Sequence, residues 1–269
     1  MKNDIKLVAT DIDGTFTDDK HQYNVDRFQK ILTEMNKQGA NFVVASGSQY
    51  FTLRDLFAQC ADQLTFISEN GALIESHGEM IYINEMPKSI VKEMIAFAHA
   101  HPEIKMVMCG AKSAYCERNM VDDDFFKLTN FYYHHLEWVD DFNDVNDQIL
   151  KFASNVPPKE TEEYLAKFKA EFSGKVEPTS SGFGAIDLIM PGCHKAAALK
   201  RLVQLWNITP EQCAAFGDGE NDIEMLEFCT HSYAMENASA KVKNAAKNVC
   251  PSNEDEGVLV TLEKLFAIK

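Results

Sequence analysis

Uninterrupted apolar runs alternate with amphipathic stretches over the first part of the chain, a pattern that predicts buried parallel strands joined by helices. Residues 5–10, IKLVAT, form one such run and end in a polar, glycine-containing turn, which places Asp11 at a strand's C-terminal end. From Asn24, a good N-cap, apolar residues recur at Val25, Phe28, Ile31, Leu32 and Met35, and Gly39 stands where a helix would end. A strand NFVVAS (41–46), a helical segment through Leu53, Leu56 and Phe57, and a strand LTFIS (64–68) follow. That order predicts an α/β fold with a doubly wound parallel sheet.

The stretch GALIESHGEMIYIN (71–84) reads as two alternating strands about a His-Gly turn, after which the regular alternation breaks down. Between 85 and 187 the pattern predicts an inserted α+β module. It comprises a helix (88–101), strands near 104–110 and 113–117, a helix near 122–133, a strand near 149–154, a helix after Pro157-Pro158, and strands near 175–179 and 184–190. The strand–helix alternation resumes with a helix from His194 to Trp206, the strand CAAF (213–216), the loop GDGEND and a helix through Ile223, Met225 and Leu226. The expected organisation is therefore a core made of 1–84 and 188–269, interrupted by a module at 85–187. No internal repeat or low-complexity linker is visible.

Composition narrows the partners. With 45% hydrophobic and 25% charged residues the chain is an ordinary globular protein. A formal net charge of −15 repels nucleic-acid phosphates and anionic lipid, so neither nucleic acid nor a membrane is expected as a partner. A local lysine and a divalent cation can still reverse the field inside one cleft, which leaves small phosphate esters open. Seven scattered cysteines, none in CxxC or at zinc-ligand spacing with histidine, read as reduced core or surface thiols. No apolar stretch of signal-peptide length precedes the first acidic cluster, and a cytoplasmic location is expected.

Two acidic motifs, DxDGT at Asp11–Thr15 and GDGEND at Gly217–Asp222, fall at the ends of predicted strands, where ligands bind in such sheets. Asp11, Asp13, Asp218 and Asp222 gathered in one crevice would repel each other by roughly 4 kcal/mol per close pair at an effective dielectric of about 20. Mg²⁺ fits that oxygen-only set, which offers no His or Cys partner that would favour zinc. Lys195 supplies a second positive charge for phosphoryl oxygens. Ser46, followed by Gly47, offers a hydroxyl with backbone N–H groups beside it. Two acids one residue apart in a loop suit a nucleophile, Asp11, and a general acid/base, Asp13.

Taken in order and spacing, DIDGT, Ser46, PGCHK ending in Lys195, and GDGENDIEML resemble the four motifs of the haloacid dehalogenase superfamily. SENGALI (68–74) and SGFGAIDLIMPG (181–192) resemble its Cof-type branch, subclass IIB, with a large inserted cap. FVVASGSQY and CGAKSAY are similar to the bacterial sugar phosphatases of that branch. The resemblance covers essentially the whole chain. It implies Asp11 as nucleophile and metal ligand, and Asp13 as acid/base that ligates metal through its backbone carbonyl. It further implies Ser46 and Lys195 on phosphoryl oxygens, Asp218 on Mg²⁺, Asp222 orienting the metal's water shell and the lysine, and Asn221 on the phosphoryl group. Many Cof-type proteins carry Arg after the glycine of the second motif, where this chain has Ser48.

The expected activity is hydrolysis of small phosphate monoesters, sugar phosphates above all, through an aspartyl-phosphate, with the cap closing over the site. Tyr115 and Phe183 are candidate pocket residues of the cap, and no obligate protein partner is evident. A phosphotransferase or mutase is one rival, and a phospho-Asp signalling module without turnover is another. Asp13 argues against the second, since it would speed hydrolysis. Asp122, Asp123 and Asp124 read as a solvated helix start, His134 and His135 as packing or surface residues, and His194 as structural. No GxGxxG follows a strand and no GxxxxGK[ST] occurs, which excludes the usual dinucleotide and P-loop signatures.

Overall fold

The computed structural model describes residues 4–182 and 184–268; Phe183 lies outside the described residues. In chain order the first elements are β1 (Leu7–Thr10), α1 (Val25–Lys37), β2 (Asn41–Ala45), α2 (Tyr50–Leu56), β3 (Thr65–Ser68), β4 (Leu73–Ser76) and β5 (Glu79–Ile83). There follow α3 (Lys88–Ala100), β6 (Met106–Gly110), β7 (Ala114–Glu117), α4 (Asp123–Tyr132), β8 (Leu136–Val139), β9 (Ile149–Asn155), α5 (Thr161–Glu171), β10 (Glu177–Gly182) and β11 (Ala185–Ile189). The last are α6 (Lys195–Leu205), β12 (Cys213–Gly217), α7 (Ile223–Phe228), β13 (His231–Met235), α8 (Ala240–Ala245), β14 (Asn248–Cys250) and α9 (Gly257–Leu265).

Among the described residues one eight-stranded sheet runs β14-β13-β12-β1-β2-β3-β4-β5. From β14 to β3 each neighbouring pair is parallel, and β4 turns back antiparallel on β3. Strand order reverses between β1 and β12, and that switch point is where a crevice opens beyond the carboxyl ends of the strands. β1, β2, β3 and β12 are buried along almost their whole length, the signature of strands covered on both faces. Asn24 caps α1 by accepting from the Arg27 amide at 3.2 Å. The helix then buries Phe28, Ile31, Leu32 and Met35, worth roughly 1.5–3 kcal/mol each.

The chain divides into two compact units. One holds the residues up to Gly47, Phe57–Ile81 and the chain from His194 onward; the other holds Ser48–Leu56 and Tyr82–Cys193. The second unit is α+β, with a six-stranded sheet β10-β11-β9-β6-β7-β8. Its core gathers Met106, Met108, Phe152, Ile186 and Leu188 from the strands, with Phe97 of α3 and Phe168 of α5.

α2 groups with this second unit because its residues bond there. Gln49 and His135 exchange two hydrogen bonds, from Gln49 Nε2 to the His135 carbonyl at 2.7 Å and from the His135 amide to Gln49 Oε1 at 3.0 Å. The Phe51 ring stacks on His135 at 3.7 Å. β8 joins β7 in parallel as a strand that the sequence pattern does not announce, since its residues are half-exposed.

Candidate active site

Asp11 follows β1 directly, and its amide donates to the Phe216 carbonyl of β12 at 3.1 Å, extending the sheet ladder by one residue. The turn after it is closed by the Thr15, Phe16 and Thr17 amides, all donating to the Ile12 carbonyl. Gly14 takes φ +75° there, and a Cβ on it would stand 2.6 Å from Asp218 Oδ2, so both backbone and space demand glycine. Thr15 Oγ1 donates to Asp218 Oδ1 at 2.7 Å, and Asn237 Nδ2 donates to the Gly14 carbonyl at 2.8 Å. The two acidic motifs are thus tied to each other directly.

β12 ends in Gly217, where a Cβ would come within 2.5 Å of the Asp222 side chain. Asp222 is fully buried. Its Oδ2 accepts from the Asp218 and Gly219 amides at 3.1 and 3.0 Å, and its Oδ1 accepts from Lys195 Nζ at 2.8 Å. Lys195, the first residue of α6, is 2% exposed and also donates to Asp11 Oδ1 at 2.5 Å. One oxygen from each of Asp11, Asp218 and Asp222 lies within 4.8 Å of the others.

The electrostatics follow from that packing. Burial, then the Asp222 charge, raise the Asp11 carboxyl well above the ordinary carboxylate range, with Asp218 adding and Lys195 opposing. Asp218 is raised too, first by burial and then by Asp222, against the Thr15 hydrogen bond. Burial works against the Lys195 ammonium, but Asp11 and Asp222 together outweigh it and hold the lysine above its ordinary value. Two buried carboxylates and the half-buried Asp218 beside one ammonium leave the group short of positive charge.

Asp13 and Asn221 stand apart from this group. The Asp13 carboxylate is exposed, with Oδ1 3.1 Å from His21 Nδ1. Asn221 lies in the 3₁₀ turn Glu220–Asp222 and folds its side chain back against Gly219, where a Cβ would meet Asn221 Oδ1 at 2.5 Å. Ser46 is buried beyond β2, its amide donating to Ile67 and its carbonyl accepting from the Asn70 amide at 3.2 Å. A Cβ on Gly47 would lie 2.7 Å from Asn70 Oδ1, so Asn70, at φ +58°, packs directly on the Ser46–Gly47 loop.

Thr15, Asn70 and Asn237 were not singled out from the sequence. Thr15 was visible as the last residue of DxDGT and Asn70 as the third residue of SENGALI, whereas Asn237 carried no local signal. Tyr115 donates to Asp147 Oδ2 at 3.0 Å inside the second unit. Asp122 caps α4 through the Phe125 amide at 2.7 Å and pairs with Lys105 at 2.7 Å, a solvated helix start. His194 occupies the N-cap position of α6.

A model of the haloacid dehalogenase-like hydrolases matches residues 8–262. The chain belongs to that family. Over 262 residues it is 38% identical to the 5-amino-6-(5-phospho-D-ribitylamino)uracil phosphatase YbjI of Escherichia coli K12, covering 97% of this chain and 96% of that one. Among solved structures, SMU.1108c of Streptococcus mutans UA159 is 36% identical, with a TM-score of 0.90 over 98% of this chain and 99% of that one. The subclass IIB sugar phosphatase BT4131 shares the fold at a TM-score of 0.77 and 22% identity, over 98% of this chain and 100% of that one. The haloacid dehalogenase-like chain described here is a phosphatase. No helix among its described residues is long and apolar enough to cross a membrane.

Proposed function

We propose that this phosphatase is Mg²⁺-dependent and hydrolyses small phosphate monoesters of sugars or sugar-like polyols by way of a phosphoryl group carried on Asp11. The observation that carries the reading is the buried Lys195 ammonium, 2.5 Å from Asp11 and 2.8 Å from Asp222, beside Asp218. The resemblance of this chain to a phosphatase named for a phosphorylated ribitylamino compound supports a polyol phosphate as substrate.

The donor set fits Mg²⁺. Asp11, Asp218 and Asp222 offer only carboxylate oxygens, and burial with mutual repulsion has already raised the first two. Asp11 and Asp218 would hold the ion directly, together with the Asp13 carbonyl. Asp222 already accepts three hydrogen bonds and would act on the ion's water and on Lys195. When bound, the cation supplies charge neutralisation for the transferring phosphoryl oxygens.

An Asp11 oxygen then attacks phosphorus in line while the bond to the leaving oxygen breaks, and Asp13 gives that oxygen its proton. Asp13, now ionised, takes a proton from water as the water's oxygen attacks phosphorus and frees Asp11. Lys195 and the Ser46 hydroxyl hold the equatorial oxygens through both steps, with the Gly47 backbone and Asn221 as further contacts. The wound sheet carries this chemistry, and the inserted unit selects the leaving group.

The test is phosphate release from a panel of sugar and polyol phosphates, including 5-amino-6-(5-phospho-D-ribitylamino)uracil, with Mg²⁺ and with EDTA. Asp11→Asn should lose on the order of 10³ or more in kcat. Near-normal turnover by that variant, or full activity in EDTA, would refute the reading. Turnover that appears only with an added acceptor alcohol would make the protein a phosphotransferase.

A further inference from the structure

Three side chains of the second unit converge at a place that plays no part in the chemistry above. His99 sits in the last turn of α3, Glu117 ends β7, and Asp141 stands just before the 3₁₀ turn Phe142–Asp144. One ligand atom from each lies within 4.8 Å of the others. His99 Nε2 is 2.9 and 3.1 Å from the two Glu117 oxygens. Glu117 Oε2 also accepts from the Phe142 amide at 2.8 Å. Asp141 Oδ1 accepts from the Asn143 amide and side chain at 2.7 and 2.8 Å. Those two bonds hold the Asp141 carboxyl below the ordinary carboxylate range.

Charge is what sets this group apart from an ordinary polar cluster. The Glu117 side chain is only 7% exposed, yet among the described residues no lysine or arginine pairs with it or with Asp141; the neighbouring Arg118 turns to Asp140 at 3.4 Å. A buried carboxylate needs a compensating positive charge, and the basic side chain beside Glu117 is His99. The His99 side chain is 35% exposed, so the site opens to solvent on that side.

We propose that His99, Glu117 and Asp141 form a Zn²⁺-binding site, with the remaining position or positions filled by water. One imidazole nitrogen and two carboxylate oxygens are a donor set that zinc takes readily, and the imidazole disfavours Mg²⁺. Bonds of about 2.0–2.1 Å in a tetrahedral arrangement put ligand atoms about 3.3 Å apart. The His99–Glu117 separation therefore opens by a few tenths of an ångström and the wider separations close, motions within side-chain reach. Binding replaces the His99–Glu117 hydrogen bond, and the Nε2 proton passes to Nδ1 or to solvent. The ion would staple the end of α3, the end of β7 and the turn after β8, three segments far apart in sequence.

The test uses the full chain in excess Mg²⁺, which occupies the carboxylates around Asp11. Zn²⁺ is titrated by calorimetry against the parent, His99→Ala and Asp141→Asn, and Co²⁺ absorption is recorded on each. The parent should bind one more Zn²⁺ than His99→Ala, show visible Co²⁺ bands that the variant lacks, and melt at a higher temperature with Zn²⁺ present. Asp141→Asn, a change in an exposed turn, should weaken Zn²⁺ binding by at least about tenfold and keeps the test valid if His99→Ala misfolds. Equal Zn²⁺ stoichiometry and equal Co²⁺ spectra in all three proteins, or no Zn²⁺ bound by the parent at micromolar concentration, would overturn the proposal and leave a His–Glu hydrogen bond only.

Discussion

Replacing Lys195 with methionine removes the ammonium while keeping a side chain of similar length in a site that is 2% exposed. Each of its two contacts, to Asp11 and Asp222, is worth roughly 6 kcal/mol at an effective dielectric of about 20. The gross loss is set against the several kcal/mol that burying the ammonium costs, and a net destabilisation of about 3–5 kcal/mol results. That figure applies where both carboxylates stay ionised.

Asp11 has a second way out, because it can take up a proton. Its folded pKa already stands well above the ordinary 3.8, and Lys195 is a cause that lowers it, so the methionine variant raises it further. Between the ordinary value and the raised one the folded protein binds more protons than the unfolded chain. Stability then falls as pH rises, by up to about 1.4 kcal/mol per pH unit.

The variant should therefore match the parent most nearly at the acid end and fall furthest behind at the alkaline end. The assay is urea unfolding in EDTA at several pH values between about 5 and 8, followed by far-ultraviolet circular dichroism. A gap between parent and variant that is the same at every pH, or no gap, would refute the reasoning. With Mg²⁺ and a phosphate ester the same variant should lose about 10²–10³ in kcat.

Gly14→Ala puts a Cβ 2.6 Å from Asp218 Oδ2 on a backbone at φ +75°. It should cost about 1–3 kcal/mol of stability and raise the Mg²⁺ concentration needed for half-maximal turnover, and a variant unchanged in both would show that the two motifs do not press on each other. All seven cysteines are free and buried. Burial pushes the Cys60 thiol up to about 11 and those of Cys116 and Cys250 up to about 12. A thiol-specific chromogenic disulfide at about pH 8 should label less than one equivalent in the native protein and all seven after unfolding, and rapid labelling of several thiols in the native protein would contradict that burial.

The central strands were legible because burial on both faces writes them as largely apolar runs: IKLVAT, NFVVAS and CAAF overlap β1, β2 and β12 with ends one or two residues off. β8 and β14 were not, since LEWV is half-exposed and NVC is three residues long. The wound sheet's last elements, β13, α8, β14 and α9, also passed unread, for they are short and carry no motif. Asp11, Lys195, Asp218 and Asp222, read from separate motifs, lie beside one another in the structure. The outward turn of the Asp13 carboxylate toward His21 was invisible, because spacing fixes which residues are adjacent and neighbours fix which way a side chain turns. The convergence of His99, Glu117 and Asp141 was equally hidden, because three separate segments of the inserted unit supply it.

The hydrogen bond from the Asp11 amide to Phe216 makes Asp11 the last rung of a ladder between two neighbouring central strands. The distance from Asp11 to Gly217, the residue before Asp218, is therefore governed by the spacing of paired strands, about 4.8 Å, which hardly varies among proteins. Mutational drift in the surrounding loops, and even the gain or loss of a whole inserted segment, leaves that ruler untouched. Such a scaffold frees evolution to change what is cleaved without rebuilding how it is cleaved.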